Sequence, residues 1–221
     1  MNSYWPQRIN YLSLAVGLLA VVHAVGGVGL NSSQREFFVR LTPVNLLLSF
    51  GVVMLFHRGT SIGRLLGFIG LAFAIGWGVE VLGVHTGLPF GDYMYTDLQG
   101  WRVAGVPLLI GVNWVLLSYT MAVTIRPLVS KNYLLVLVAA LGMTLLDVLL
   151  EFFAVHQGLW IWEGRTYPGW ENFAGWFGVS LLLQRLFLYL IPDARNRVAR
   201  YYLYLLVLFL GLQLWWMNCG F

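Results

Sequence analysis

Long apolar runs that carry almost no charge constrain this chain more than any other feature. They cover 9–30, 41–56, 65–84, 103–125, 132–154, 172–192 and 201–221. A bilayer core of about 30 Å needs about 20 such residues per helix. Only 10% of the residues are charged, and the mean hydropathy is +0.76. The pattern predicts an all-α, polytopic transmembrane helix bundle of about seven spans. It forms a single integral membrane domain over residues 1–221, with the lipid bilayer as its first partner. The second run is the shortest, and the connections leave no room for a soluble domain.

The basic residues predict how the bundle sits. With seven spans, one side collects Arg8, Arg58, Arg64, Arg126, Lys131, Arg195, Arg197 and Arg200, and the other Arg35, Arg40, Arg102 and Arg165. Eight against four puts the N-terminus in the cytoplasm and the C-terminus outside, in a multi-pass protein of the cell (plasma) membrane. The net charge of +4 is then topology signal, with no nucleic-acid partner implied. Val22-His23-Ala24 has a weak likeness to a signal-cleavage site, but the apolar run continues past it, so no cleavage is expected. Cys219 is the lone cysteine, which excludes an internal disulfide and a thiolate metal site. His23, His57, His85 and His156 lack the spacing of metal ligands. No metal and no cofactor are therefore expected. The sequence is silent on oligomeric state.

Against this apolar background two stretches stand out. "GVEVLGVHTGLPFGDYMYTD" (78–97) carries Glu80, and "LDVLLEFFAVHQGLWIWEG" (146–164) carries Asp147 and Glu151. The predicted topology brings all three acids to the same end of the bundle, with the loops 85–102 and 155–171 above them. Gly76, Glu80, Gly83 and Gly87 form one helical stripe, and Ala140, Thr144, Asp147, Glu151 and Ala154 another. Small residues around a carboxyl predict close helix approach, or a narrow slot for a slender ligand. A carboxylate facing lipid is costly, so these acids face protein. An acid inside a span can serve only to pair with a base, but Arg185, the lone base inside a span, sits towards the other end. His85 and His156 read as plain polar caps. The two hairpins also resemble one another: Glu80 and Glu151, Ala104-Gly105 and Ala174-Gly175, and Tyr119 and Tyr189 stand 70 or 71 residues apart. Related hairpins would set Glu80 and Glu151 face to face across an axis along the membrane normal.

Aromatic residues crowd the same end: Trp77, Tyr93, Tyr95, Trp101, Trp114, Trp160, Trp162, Trp170 and Trp176. Interfacial belts account for some of them, as for Trp215 and Trp216 at one end and Tyr201, Tyr202 and Tyr204 at the other. The rest are what a site uses to hold a polyene or to shelter a carbocation against π-faces. Other membrane chemistries lack their residues. A retinal Schiff base needs a lysine in a span, and Lys131, the lone lysine, lies in a loop. Diphosphate-ionising prenyl transfer needs paired Asp-rich loops, and a serine protease needs a Ser–His pair within spans. Acid–base chemistry on an apolar substrate remains, beside passive binding.

At this point the residues carry a resemblance. "EVLGVHTGLPFGDYMYTD" followed by "GVPLLIGVNWVLLSY" is similar to the signature of the carotenoid biosynthesis family of membrane hydratases, of the bisanhydrobacterioruberin hydratase and carotenoid 1′-hydratase type. The similarity continues through Asp147 and Glu151, Trp160 and Trp162, and Asn172-Phe173 with Gly175-Trp176. The chain departs from that pattern at Phe152, where the family has proline.

The resemblance implies a cofactor-independent hydratase that adds water across the C1=C2 bond of an acyclic carotenoid ψ-end, giving a tertiary alcohol. Protonating an alkene needs a carboxylic acid that still holds its proton, and desolvation with a like-charged neighbour favours that form. Water capture then needs a base and an oriented water. Glu80, Asp147 and Glu151 are the catalytic candidates, with the split between acid and base open. Trp77, Tyr93, Tyr95, Asn113, Trp114, Trp160, Trp162, Asn172 and Trp176 are the candidates for holding substrate or water. A lycopene-type end-group cyclase starts from the same protonation, and a non-catalytic carotenoid or lipid carrier is the alternative outside enzymes.

Overall fold

The computed structural model describes residues 10–219. Arg8, Ile9 and Phe221, used above, lie outside the described residues. In chain order the elements are α1 (Tyr11–Leu30), α2 (Arg35–Arg40), α3 (Thr42–Leu55), α4 (Ile62–Thr86), β1 (Tyr93–Tyr95), β2 (Arg102–Val103), β3 (Val106–Pro107), α5 (Leu108–Ile125), α6 (Asn132–Gln157), β4 (Trp160–Trp162), α7 (Trp170–Leu190) and α8 (Arg197–Cys219). Among the described residues six helices are long and apolar enough to cross a membrane: α1, α4, α5 with the turn that follows it, α6, α7 and α8.

The run 41–56 departs from a full-length span. Its helix, α3, has 14 residues, about 21 Å at 1.5 Å per residue. Pro43 is the physical reason. It has no N–H to give the preceding turn, so the helix is interrupted at Leu41, between α2 and α3. Together the two pieces still connect the ends of the bundle. At one end Arg35 Nε donates to Gln157 Oε1 at 3.0 Å, beside the C-terminus of α6. At the other, Arg58 exchanges backbone hydrogen bonds with Arg195 ahead of α8. The described residues thus pass seven times between the two ends, six times by long helices.

α5 is the central helix. Every residue from Trp114 to Thr124 is buried, which is how a helix apolar on all faces is accommodated. It packs against α3, α4, α6, α7 and α8. α4 and α6 run in the same direction and end alike, seven residues past their glutamates, at Gly87 (φ 73°) and Gly158 (φ 71°). These are left-handed C-cap positions that glycine fills without strain. The loops above them join through β1 and β4, an antiparallel pair in the register Tyr93↔Trp162, Met94↔Ile161, Tyr95↔Trp160.

The likeness of the hairpins is confined to these helices. Ala104-Gly105 forms the positive-φ turn between β2 and β3 (φ 49° and 77°), whereas Ala174-Gly175 lies inside α7. Tyr119 is fully buried and Tyr189 is 82% exposed. Equal spacing at those pairs therefore does not carry equal structure. Tyr202 also departs from the belt role: it is buried at 3% exposure, while Tyr201 and Tyr204 face outward.

Candidate active site

The antiparallel β1–β4 pair aims alternate side chains down onto the two glutamates. A strand turns successive residues to opposite faces, so Tyr93 and Tyr95 point inward with Met94 exposed, and Trp160 and Trp162 turn inward with Ile161 exposed. Glu80 Oε2 accepts from Tyr93 Oη at 2.5 Å and Tyr95 Oη at 2.8 Å, and Oε1 accepts from Trp114 Nε1 at 2.9 Å. Glu151 Oε2 accepts both indole N–H groups, from Trp160 at 3.0 Å and Trp162 at 2.9 Å. Each strand thus grips the glutamate of the helix that precedes it.

Burial, with the Glu80 carboxyl beside them, pushes both tyrosine phenols up. They remain O–H donors at working pH. Arg165 braces the site from above: its guanidinium lies over the Trp162 ring at 5.1 Å and pairs with Glu171 at 2.6 Å.

Both glutamates line one small cavity, closed by Tyr93, Tyr95, Trp160, Trp162, Asn113, Asn172, Trp176 and the apolar Phe90, Ile110 and Leu150. Asp147 stands behind this wall. Its Oδ2 accepts from Asn172 Nδ2 at 2.8 Å, and among the described residues Oδ1 has no hydrogen-bond partner. Trp114 is likewise behind the wall, bonded to Glu80 and stacked on Trp176 at 4.0 Å between ring centroids. Trp77 does not reach the cavity; its indole points at the Val106 carbonyl, 3.5 Å away.

The glycine stripe on α4 lets α5 approach closely at Gly76 and gives space to aromatic rings. Trp114 packs on Gly76, and a Cβ at Gly83 would stand 2.8 Å from Tyr93 Oη. Phe90, Ile110 and Leu150 carry no signal in a chain that is 59% hydrophobic. Phe90 does fall within the first quoted stretch, stacked on Trp114 at 6.5 Å.

The arrangement offers two carboxyls with different free positions. Both indoles sit on Glu151 Oε2, so a proton on this group belongs on Oε1. Glu80 has about four lone-pair sites as a carboxylate, and three are taken by the tyrosines and Trp114. One remains for a further donor such as water.

The family model described as carotenoid biosynthesis protein matches residues 41–219, most of the chain. The chain belongs to the carotenoid biosynthesis protein family. The carotenoid biosynthesis match takes in α3 to α8 and both loops, hence every residue of the acid cavity. α1 lies outside it. The bisanhydrobacterioruberin hydratase of Haloarcula japonica is 33% identical over 129 residues, covering 48% of this chain and 40% of the relative. The match therefore spans less than half of that relative's length. No solved structure matches the chain.

Proposed function

We propose that this protein is a carotenoid hydratase that adds water to the C1=C2 bond of an acyclic ψ-end, without a cofactor. The observation that carries the reading is the pair of glutamates in one cavity, one with an oxygen free to deliver a proton and one held by three donors with a single site left for water. Family membership and the hydratase relative support it.

In this reading Glu151 Oε1–H protonates C2. The C2–H bond forms from the alkene's π electrons, leaving a tertiary cation at C1. The π-faces of Trp160, Trp162 and Trp176 surround that charge. A water held at the open site of Glu80, beside Asn113, attacks C1 and passes its extra proton to Glu80. Return of that proton to Glu151 completes the cycle: alkene plus water gives alcohol, with no electrons gained or lost. Asp147 is a positioning residue that fixes Asn172 in the wall. Trp114, Tyr93 and Tyr95 hold Glu80 in place. We assign the protein to the plasma membrane, with its N-terminus cytoplasmic and the acid site near the outer face.

Expression in a bacterial host that accumulates lycopene, followed by mass analysis of the pigments, tests the function. Hydration adds the mass of one water for each reacted end. An isomer of unchanged mass identifies a cyclase, and unchanged pigment contradicts both.

A further inference from the structure

The acid cavity has a larger neighbour. A second cavity, of about 460 Å³, lies between α1, α3, α5, α6 and α8. It shares Ile110, Asn113, Leu150 and Trp160 with the wall of the acid cavity. Its volume falls in the range of about 300–1,000 Å³ typical of small-molecule sites. Of its lining residues, those exposed on the outside of the bundle are Val21, Val25, Leu41, Val44 and Leu48. All five belong to α1 and to α3 with its junction at Leu41. The cavity therefore opens sideways between these helices, on an apolar flank, where the break ahead of Pro43 leaves α3 short.

We propose that this cavity binds the end segment of a linear isoprenoid chain. The chain enters from the bilayer between α1 and α3 and carries its terminal alkene to the acid cavity. The identity of the reacting end rests on the hydratase reading; the site itself rests on the shape and lining of the cavity. No Asp, Glu, Lys or Arg is among the described lining residues, so a ligand with an ionic head is disfavoured inside. A polyene leaving lipid gains little from the hydrophobic effect, so binding depends on packing. Phe38, Phe153 and Phe209 supply broad faces for that contact. The space takes an end segment only, so the remainder of a full-length carotenoid stays in the bilayer. An acyl chain of a phospholipid would match the walls, but it has no terminal alkene to bring to a pair of carboxyls.

His23 is part of the same wall. It is buried, its Nδ1 lies 2.8 Å from the Leu19 carbonyl, and Tyr202 and Phe209 stand edge-on to its ring. It belongs to the lining of the chain-binding cavity, apart from the acids.

Gly26 gives the test a plug. It lines the cavity, and a Cβ built on it meets nothing within 4 Å. The protein in lipid nanodiscs, titrated with lycopene, is expected to induce visible circular dichroism in the bound polyene. Gly26→Phe should abolish that signal while the variant stays monodisperse with an unchanged melting temperature. Gly17→Phe, on the same helix with open space around it and outside the lining, should keep it. If the wild type shows no induced signal, if Gly26→Phe binds as the wild type does, or if a co-purifying phospholipid resists displacement by lycopene, the proposal is overturned. Loss of the signal in Gly26→Phe without hydration by the wild type would uphold the cavity assignment and sink the hydratase reading alone.

Discussion

Glu151 has two oxygens that the fold treats differently, and the proposed chemistry rests on that asymmetry. Two indoles on Oε2 leave Oε1 as the position for a proton, while three donors crowd Glu80. Glutamine preserves size and most hydrogen bonding but cannot deliver a proton to carbon. Glu151→Gln and Glu80→Gln should each lower hydration by about 10²–10⁴-fold, the usual contribution of a general acid or base, while both variants insert and bind carotenoid. Asp92→Asn and Glu163→Gln, at exposed loop positions, should leave the rate near the wild type. Pigment yield per folded protein measures all four, and full activity in both glutamate variants would remove the assignment. The acids were legible in the sequence because a charge on a long apolar run is costly and needs a reason. The proposed division of labour was not, because it rests on the donors that the β1 and β4 loops and α5 bring to each carboxyl. Asp147 read as an equal partner in the sequence; in the structure it bonds Asn172 and does not line the acid cavity.

At the scale of elements, the glycine stripe on α4 shows how helix and loop are fitted together. Gly83 leaves room for Tyr93, whose hydroxyl bonds Glu80. Gly83→Ala should therefore push Tyr93 away, destabilising the protein by about 1–3 kcal/mol as overpacking does and lowering turnover. Gly78→Ala, where an added Cβ meets nothing within 4 Å, should leave both unchanged. Melting temperature and turnover of the two variants check this, and equal behaviour would contradict the packing account. Six of the long apolar runs became long helices, because spacing and length determine that outcome. The second run, 41–56, did not, for the local reason that Pro43 follows the Leu41-Thr42 junction. The β1–β4 pair was illegible, since its strands are three residues each and lie 67 positions apart, as their register (Tyr93↔Trp162 to Tyr95↔Trp160) shows. Tyr202 looked like a belt residue by composition, and tertiary packing turned it inward.

Across the whole molecule, the seven passes put the two motif loops at one end and the Arg58–Arg195 bridge at the other. The grouping of the basic residues in the sequence already separated those ends. The cavity between α1 and α3 left no trace there, because its walls are ordinary apolar residues. The assigned orientation predicts that a reporter inserted at Lys131 reads cytoplasmic and one fused after Phe221 reads extracytoplasmic, and the opposite pattern would invert the protein. The central claim is that a proton and a hydroxyl, both from solvent water, end up on one carotenoid end. Running the reaction in oxygen-18 water and, separately, in heavy water tests it most directly by mass analysis of the product. The account predicts oxygen-18 in the new hydroxyl and one deuterium at C2, with nothing from molecular oxygen. Oxygen-18 that enters the product from labelled molecular oxygen, and not from water, would contradict it.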